Sequence, residues 1–127
     1  MLKGLLVDYA GVLTDQDAAL LYEYLRDARA NGMRTALVSN APGAAPEVKT
    51  ELAQYFDALV FSGEVGVAKP NREIYLVAAE RIGLAAPRCV FVDDAERNVR
   101  GAVAAGMVGV HHRTIAETLD ELAALFS

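Results

Sequence analysis

Leu5-Leu6-Val7-Asp8-Tyr9-Ala10-Gly11-Val12-Leu13-Thr14 decides how this chain is read. An apolar run ends abruptly in a carboxylate, and a small residue and a glycine follow shortly after. Buried as a strand, such a run presents Asp8 at the mouth of a sheet. It is the first of five short apolar runs, at residues 2–7, 34–38, 58–61, 89–92 and 108–111. They are near-continuous in apolar character rather than alternating, as expected of parallel strands covered on both faces.

The stretches between them read mostly as helices. Residues 15–30 end at Asn31-Gly32, a C-terminal stop. Residues 47–55 follow the loop Asn40-Ala41-Pro42-Gly43-Ala44-Ala45-Pro46, the part of the chain richest in proline and glycine. Residues 72–82 put Ile74, Val77, Ala78 and Ile82 on one face and close at Gly83-Leu84. Residues 95–105 stop at Gly106, and Thr114-Ile115-Ala116-Glu117 reads as a capping box before an apolar face of Leu119, Leu122, Leu125 and Phe126. Alternation of this kind implies an open, Rossmann-type α/β sheet with right-handed crossovers. Ligands in such sheets bind beyond the carboxyl ends of the strands, where Asp8, Ser39 and Asp93-Asp94 all fall.

At 127 residues the chain fits one domain, 1–127, with room for a sizeable core. No apolar run approaches the roughly 18 residues of a membrane span. The start, Met1-Leu2-Lys3-Gly4, lacks the marks of a signal peptide. A cytoplasmic protein without membrane contact is the expectation. Twelve Lys and Arg against 17 Asp and Glu leave a formal charge of −5, which argues against broad nucleic-acid binding. A phosphorylated ligand remains compatible with it, because local charge governs that contact. Cys89, the single cysteine, borders an apolar run and reads as a buried small hydrophobe.

Three further segments follow Asp8 in order: Val38-Ser39-Asn40, then Gly66-Val67-Ala68-Lys69-Pro70, then Val90-Phe91-Val92-Asp93-Asp94. Taken singly, each has a plain structural alternative. Asp8 can end a strand, Ser39-Asn40 can be an ordinary strand-to-loop transition, and Lys69 can be a solvated loop charge. Asp93-Asp94 can favour the positive end of the helix that follows. Taken together and in this order, the four resemble the motifs of the haloacid dehalogenase (HAD) superfamily over nearly the whole chain. The resemblance implies a three-layer open parallel sheet, Mg²⁺ as cofactor, and phosphoryl transfer or hydrolysis as the chemistry.

It also implies roles. Asp8 would be the nucleophile, already ionised at neutral pH. Ser39 and the Asn40 backbone N–H would hold phosphate oxygens, next to Ala10 and Gly11, and Lys69 would supply a fixed positive charge. Asp94 would bind Mg²⁺ with Asp8 and the main-chain carbonyl of Ala10, a set of hard oxygen ligands. Asp93 would share the metal or stand just behind it, and Asn98 could orient a metal-bound water. Tyr9 reads as packing, and His111-His112 as surface residues at the last strand end.

One position departs from the pattern. Ala10 stands where most phosphatases of the superfamily carry a second aspartate, the residue that protonates the leaving oxygen and then activates water. A missing general acid–base costs on the order of 10²–10⁴ in rate. The cost is greatest for alkyl phosphates and smaller for aryl or acyl phosphates, whose leaving groups depart with little protonation. The pattern Asp8-Tyr9-Ala10-Gly11 looks closer to the phosphonoacetaldehyde hydrolase branch. That branch needs a cap-domain lysine, however, and residues 14–31 hold one helix and no lysine. The dehalogenase branch likewise closes its site with a cap, and residues 61–69 leave no room for the alternative insertion.

A capless site is open to a phosphorylated small molecule, to a phosphorylated macromolecule, or to a lid from a second copy in a homo-oligomer. The reading is therefore a Mg²⁺-dependent phosphohydrolase slowed by Ala10. The alternative is a catalytically weak or non-catalytic module that binds phosphate and Mg²⁺ for regulation.

Overall fold

The computed structural model describes every residue, Met1–Ser127. Five parallel strands form one sheet in the order β3-β2-β1-β4-β5. They are β1 (Gly4–Val7), β2 (Arg34–Ser39), β3 (Ala58–Phe61), β4 (Cys89–Asp93) and β5 (Val108–His111). The helices are α1 (Ala18–Ala30), α2 (Pro46–Leu52), the short α3 (Ser62–Val65), α4 (Arg72–Arg81), α5 (Glu96–Ala104) and α6 (Ile115–Phe126). All five strands predicted from apolar runs are present, and the boundaries shift by at most two residues.

Two cores sandwich the sheet, and the pleat separates them. Leu5 and Val7 of β1 pack with Leu21 and Leu25 of α1, Leu52 of α2, and Ile115 and Leu122 of α6. Leu6, between them, packs on the other face with Ile74, Tyr75 and Ala78 of α4 and Ala102 of α5. Helices thus cover both faces, which is why the strands are apolar throughout. The first two crossover helices lie on one face and α4 and α5 on the other, so the direction of winding reverses between β1 and β4. That reversal opens a crevice at the strand carboxyl ends.

Three details differ from the sequence reading. α1 begins at Ala18, because Tyr9–Leu13 forms an irregular turn, with Ala10 extended and Gly11 at positive φ, and Asp15 spends a carboxylate oxygen on the Asp17 N–H, 2.9 Å away. The helix Ser62–Val65 was not foreseen; a four-residue segment holds too few positions to show a period. The capping box at Thr114 forms in one direction: Thr114 Oγ1 accepts from the Glu117 N–H at 3.1 Å.

Candidate active site

The register of the sheet assembles the site. Val7 lies opposite Leu37 of β2 and Val92 of β4. One residue further on, Asp8, Val38 and Asp93 are therefore level with one another. They share the parity of Leu6 and Phe91 and face the side of the sheet covered by α4 and α5. Lys69, on the loop leading into α4, arrives on this same side. Its ammonium donates to Asp8 Oδ1 at 2.7 Å, to the Val38 carbonyl at 2.8 Å and to Asp93 Oδ2 at 2.9 Å. All three ammonium protons are thereby used. The nitrogen also lies 5.4 Å from the centre of the Phe91 ring. Lys69 and Asp93 are buried, and Asp8 is 7% exposed.

The loop that carries Lys69 is fastened by Asn40. Its side-chain amide donates to the Lys69 carbonyl at 3.0 Å, and its Oδ1 accepts from the Lys69 N–H at 2.9 Å. Sequence reasoning gave Asn40 only a backbone role and missed this clasp, because its two halves lie 29 residues apart.

Burial pushes the Asp8 carboxyl up to about 6, in part offset by Lys69, with Asp93 pushing it further up. With Oδ1 held by Lys69, the other carboxylate oxygen of Asp8 stays clear of side-chain donors. Ser39 is buried at the end of β2, and its hydroxyl has no bond within the protein. Ala10 and Gly11 are exposed in the turn after Asp8, where the Gly11 N–H donates to Thr14 Oγ1 at 2.8 Å.

The two adjacent aspartates divide their work. Asp93 Oδ1 accepts from the Ala95 N–H at 2.8 Å, while Oδ2 takes Lys69 and, at 3.2 Å, the Asn98 amide. Asp94 is exposed, and its carboxylate has no protein donor. It rests against Gly11: a Cβ on that glycine, at φ +87°, would fall 2.2 Å from Asp94 Oδ2. Carboxylate oxygens of Asp8, Asp93 and Asp94 lie within 4.8 Å of one another. Asn98 Oδ1 is buried without a hydrogen-bond partner. Clustered hard oxygens, an uncommitted carboxylate in a glycine cradle and an orphaned carbonyl oxygen fit a divalent cation with bound water.

The histidines are not the free surface residues expected. His111 Nε2 lies 2.9 Å from the Asp94 carbonyl. His112 is buried, with Nδ1 2.7 Å from Thr118 Oγ1 and Nε2 3.4 Å from Asp15 Oδ2. Adjacent strand residues face opposite ways, so both cannot share one exposed side.

A buried lysine braced by two aspartates at the switch point of a doubly wound parallel sheet defines a class of α/β protein with an acidic site at its strand ends. The haloacid dehalogenase-like hydrolase profile matches residues 5–106, and the chain belongs to that family. Phosphoglycolate phosphatase of Escherichia coli is 29% identical over 117 residues, covering 87% of this chain and 46% of that protein. Matches to the curated relatives span between 29% and 46% of their lengths. Among solved structures, an uncharacterized protein from Corynebacterium glutamicum is 40% identical, with a TM-score of 0.91 over 99% of this chain and 96% of that one. A HAD family enzyme from Bacteroides thetaiotaomicron, solved with magnesium and inorganic phosphate, shares the fold at 16% identity. Its TM-score is 0.73 over 89% of this chain and 95% of that one.

Proposed function

We propose that this chain is a Mg²⁺-dependent phosphohydrolase with Asp8 as nucleophile, acting on phosphate esters or anhydrides whose leaving groups need little protonation. The observation that carries the reading is the ammonium of Lys69, held 2.7 Å from Asp8 Oδ1 and 2.9 Å from Asp93 Oδ2. A buried lysine with this bracing keeps the nucleophile oriented and offsets part of the anionic charge that a phosphate would bring. The curated relatives' names, phosphoglycolate phosphatase among them, support a phosphorylated small molecule as substrate.

The free oxygen of Asp8 attacks phosphorus, the bond to the leaving oxygen breaks, and an aspartyl-phosphate forms. Ser39 Oγ and the Asn40 backbone N–H would hold the phosphate oxygens in line, beside Ala10 and Gly11. Asp94, Asp8 and the carbonyl of Ala10 would hold the cation. When bound, the cation supplies charge stabilisation at the transferring group. Asn98 Oδ1, buried and without a hydrogen-bond partner, would orient a water. Water then releases phosphate from Asp8, without a side-chain base at position 10.

Parallel assays of an aryl, an acyl and an alkyl phosphate with Mg²⁺ test this in the native chain, Asp8→Asn and Ala10→Asp. Asp8→Asn abolishes turnover, and Ala10→Asp raises it on the alkyl ester by on the order of 10²-fold or more. Aryl or acyl phosphate turnover that survives Asp8→Asn removes the proposed nucleophile. A second reading is favoured by the same Ala10: with no side chain to activate water, phosphate on Asp8 would persist as a regulatory mark. A long-lived covalent adduct after one equivalent of acyl phosphate, without turnover, selects that reading.

A further inference from the structure

Ser39 shares the parity of Leu37 and so faces away from Lys69, toward α1 and α2, and Tyr9, in the turn after Asp8, lies on the same side against Val48 and Leu52 of α2. On that side lie two adjoining cavities. One, of about 180 Å³, is bounded by Ser39, Leu37, Ala41 and Phe61. The other, of about 310 Å³, is bounded by Tyr22, Glu51 and Tyr55. Tyr9, Val48 and Leu52 wall both. The cleft therefore runs from the proposed phosphate-holding hydroxyl of Ser39 outward between aromatic walls.

We propose that this cleft seats the ring of an aryl phosphate monoester, selecting the leaving group that Asp8 displaces. The inference rests on the phosphohydrolase reading and names its substrate class. Two independent observations converge on it. The first is the wall chemistry. Tyr22 and Tyr55 stand with ring centroids 4.7 Å apart, tilted by 55°. Burial, with Tyr9, Tyr55 and Glu51 nearby, pushes the Tyr22 phenol up to about 12, so it stays neutral. The nearby cations are engaged: Lys49 pairs with Glu64, and Arg26 donates to the Tyr55 hydroxyl at 3.1 Å. Glu51 disfavours a second anionic group on the substrate. The cleft thus suits a neutral planar ring.

The second observation is Ala10. With no acid beside the leaving oxygen, departure depends on that oxygen's own basicity. A phenol ionises near about 10, whereas water ionises near about 15.7. The free oxygen of Asp8 bonds to phosphorus, the P–O(aryl) bond breaks, and its electron pair leaves as phenolate, which takes a proton from solvent. Water then attacks the aspartyl-phosphate, giving inorganic phosphate and the Asp8 carboxylate, and its proton goes to solvent.

The test titrates phenylphosphonate and methylphosphonate, with Mg²⁺, into the native chain and Val48→Asn, followed by calorimetry and amide chemical shifts. Val48 is 43% exposed and the replacement is uncharged, so fold and phosphate charge are spared. Thermal melts check the variant. Phenylphosphonate binds the native chain about tenfold tighter than methylphosphonate, shifting Tyr9, Val48 and Tyr22. Val48→Asn cuts that preference at least threefold and leaves methylphosphonate unchanged. In turnover it raises KM for phenyl phosphate but not for acetyl phosphate.

Equal binding of the two phosphonates, or an equal loss of both in Val48→Asn, overturns the aryl cleft while the phosphohydrolase reading stands. Failure of both to bind overturns the two together. A phosphotyrosyl peptide run beside phenyl phosphate tells whether the ring arrives alone or on a polypeptide. A ring-dependent gain in either arm supports the cleft.

Discussion

Asp8, the proposed nucleophile, is held in a surrounding that disfavours its charge. Its carboxyl is raised from 3.8 to about 6, chiefly by burial. Between these values the folded chain holds more protons than the unfolded one, so stability falls as pH rises from about 4 to about 6 and then levels. Asp8→Asn, with no proton to lose, removes this slope. Urea melts of both proteins between pH 4 and 8, with a chelator present, measure it. A native curve that rises across the window contradicts the assignment. The sign also bears on the proposed activity: the Asp8 carboxylate is the majority form only above about pH 6.

At the scale of elements, the sheet supplies the level at which groups meet, and loops supply the reach. Asp8 and Asp93 end adjacent strands in register, but Lys69 must be delivered from the far side of β2. Asn40, just past β2, holds both the N–H and the carbonyl of Lys69. Asn40→Ala leaves those backbone groups to find water or go unpaired, at a cost of about 1–3 kcal/mol. Urea denaturation gives that loss. Faster hydrogen exchange of the Lys69 amide, at conditions where the core stays protected, locates it in this loop. Exchange that rises equally in the core strands would mean that Asn40 serves general stability instead.

For the whole molecule, one ammonium ties the carboxyl ends of β1, β2 and β4 at the crevice. Lys69→Met keeps the volume but leaves Asp8 and Asp93 buried side by side without a counter-charge. The expected loss is about 3–5 kcal/mol at neutral pH. It shrinks in acid as the carboxyls take up protons, a trend that denaturant melts across pH resolve. Unchanged stability at pH 7 would mean that the pair is screened by solvent, against its burial.

The alternation of strands and helices along the chain was legible, because five near-continuous apolar runs alternate with amphipathic stretches; the order of the strands in the sheet followed only from the family resemblance. Asp8, Ser39, Asp93 and Asp94 were legible too, since strand ends can be read locally, whereas Lys69, on a loop, was legible only through the resemblance of its segment to a family motif. Tertiary structure alone decided what each of them touches. Which aspartate braces Lys69 and which stays uncommitted depends on strand register and pleat, which place Asp93 with Lys69 and leave Asp94 against Gly11. The clasp of Asn40, the unpartnered oxygen of Asn98 and the tyrosine-walled cleft join segments distant in sequence. Their chemistry arises from closeness in space, a quantity that composition and periodicity do not encode.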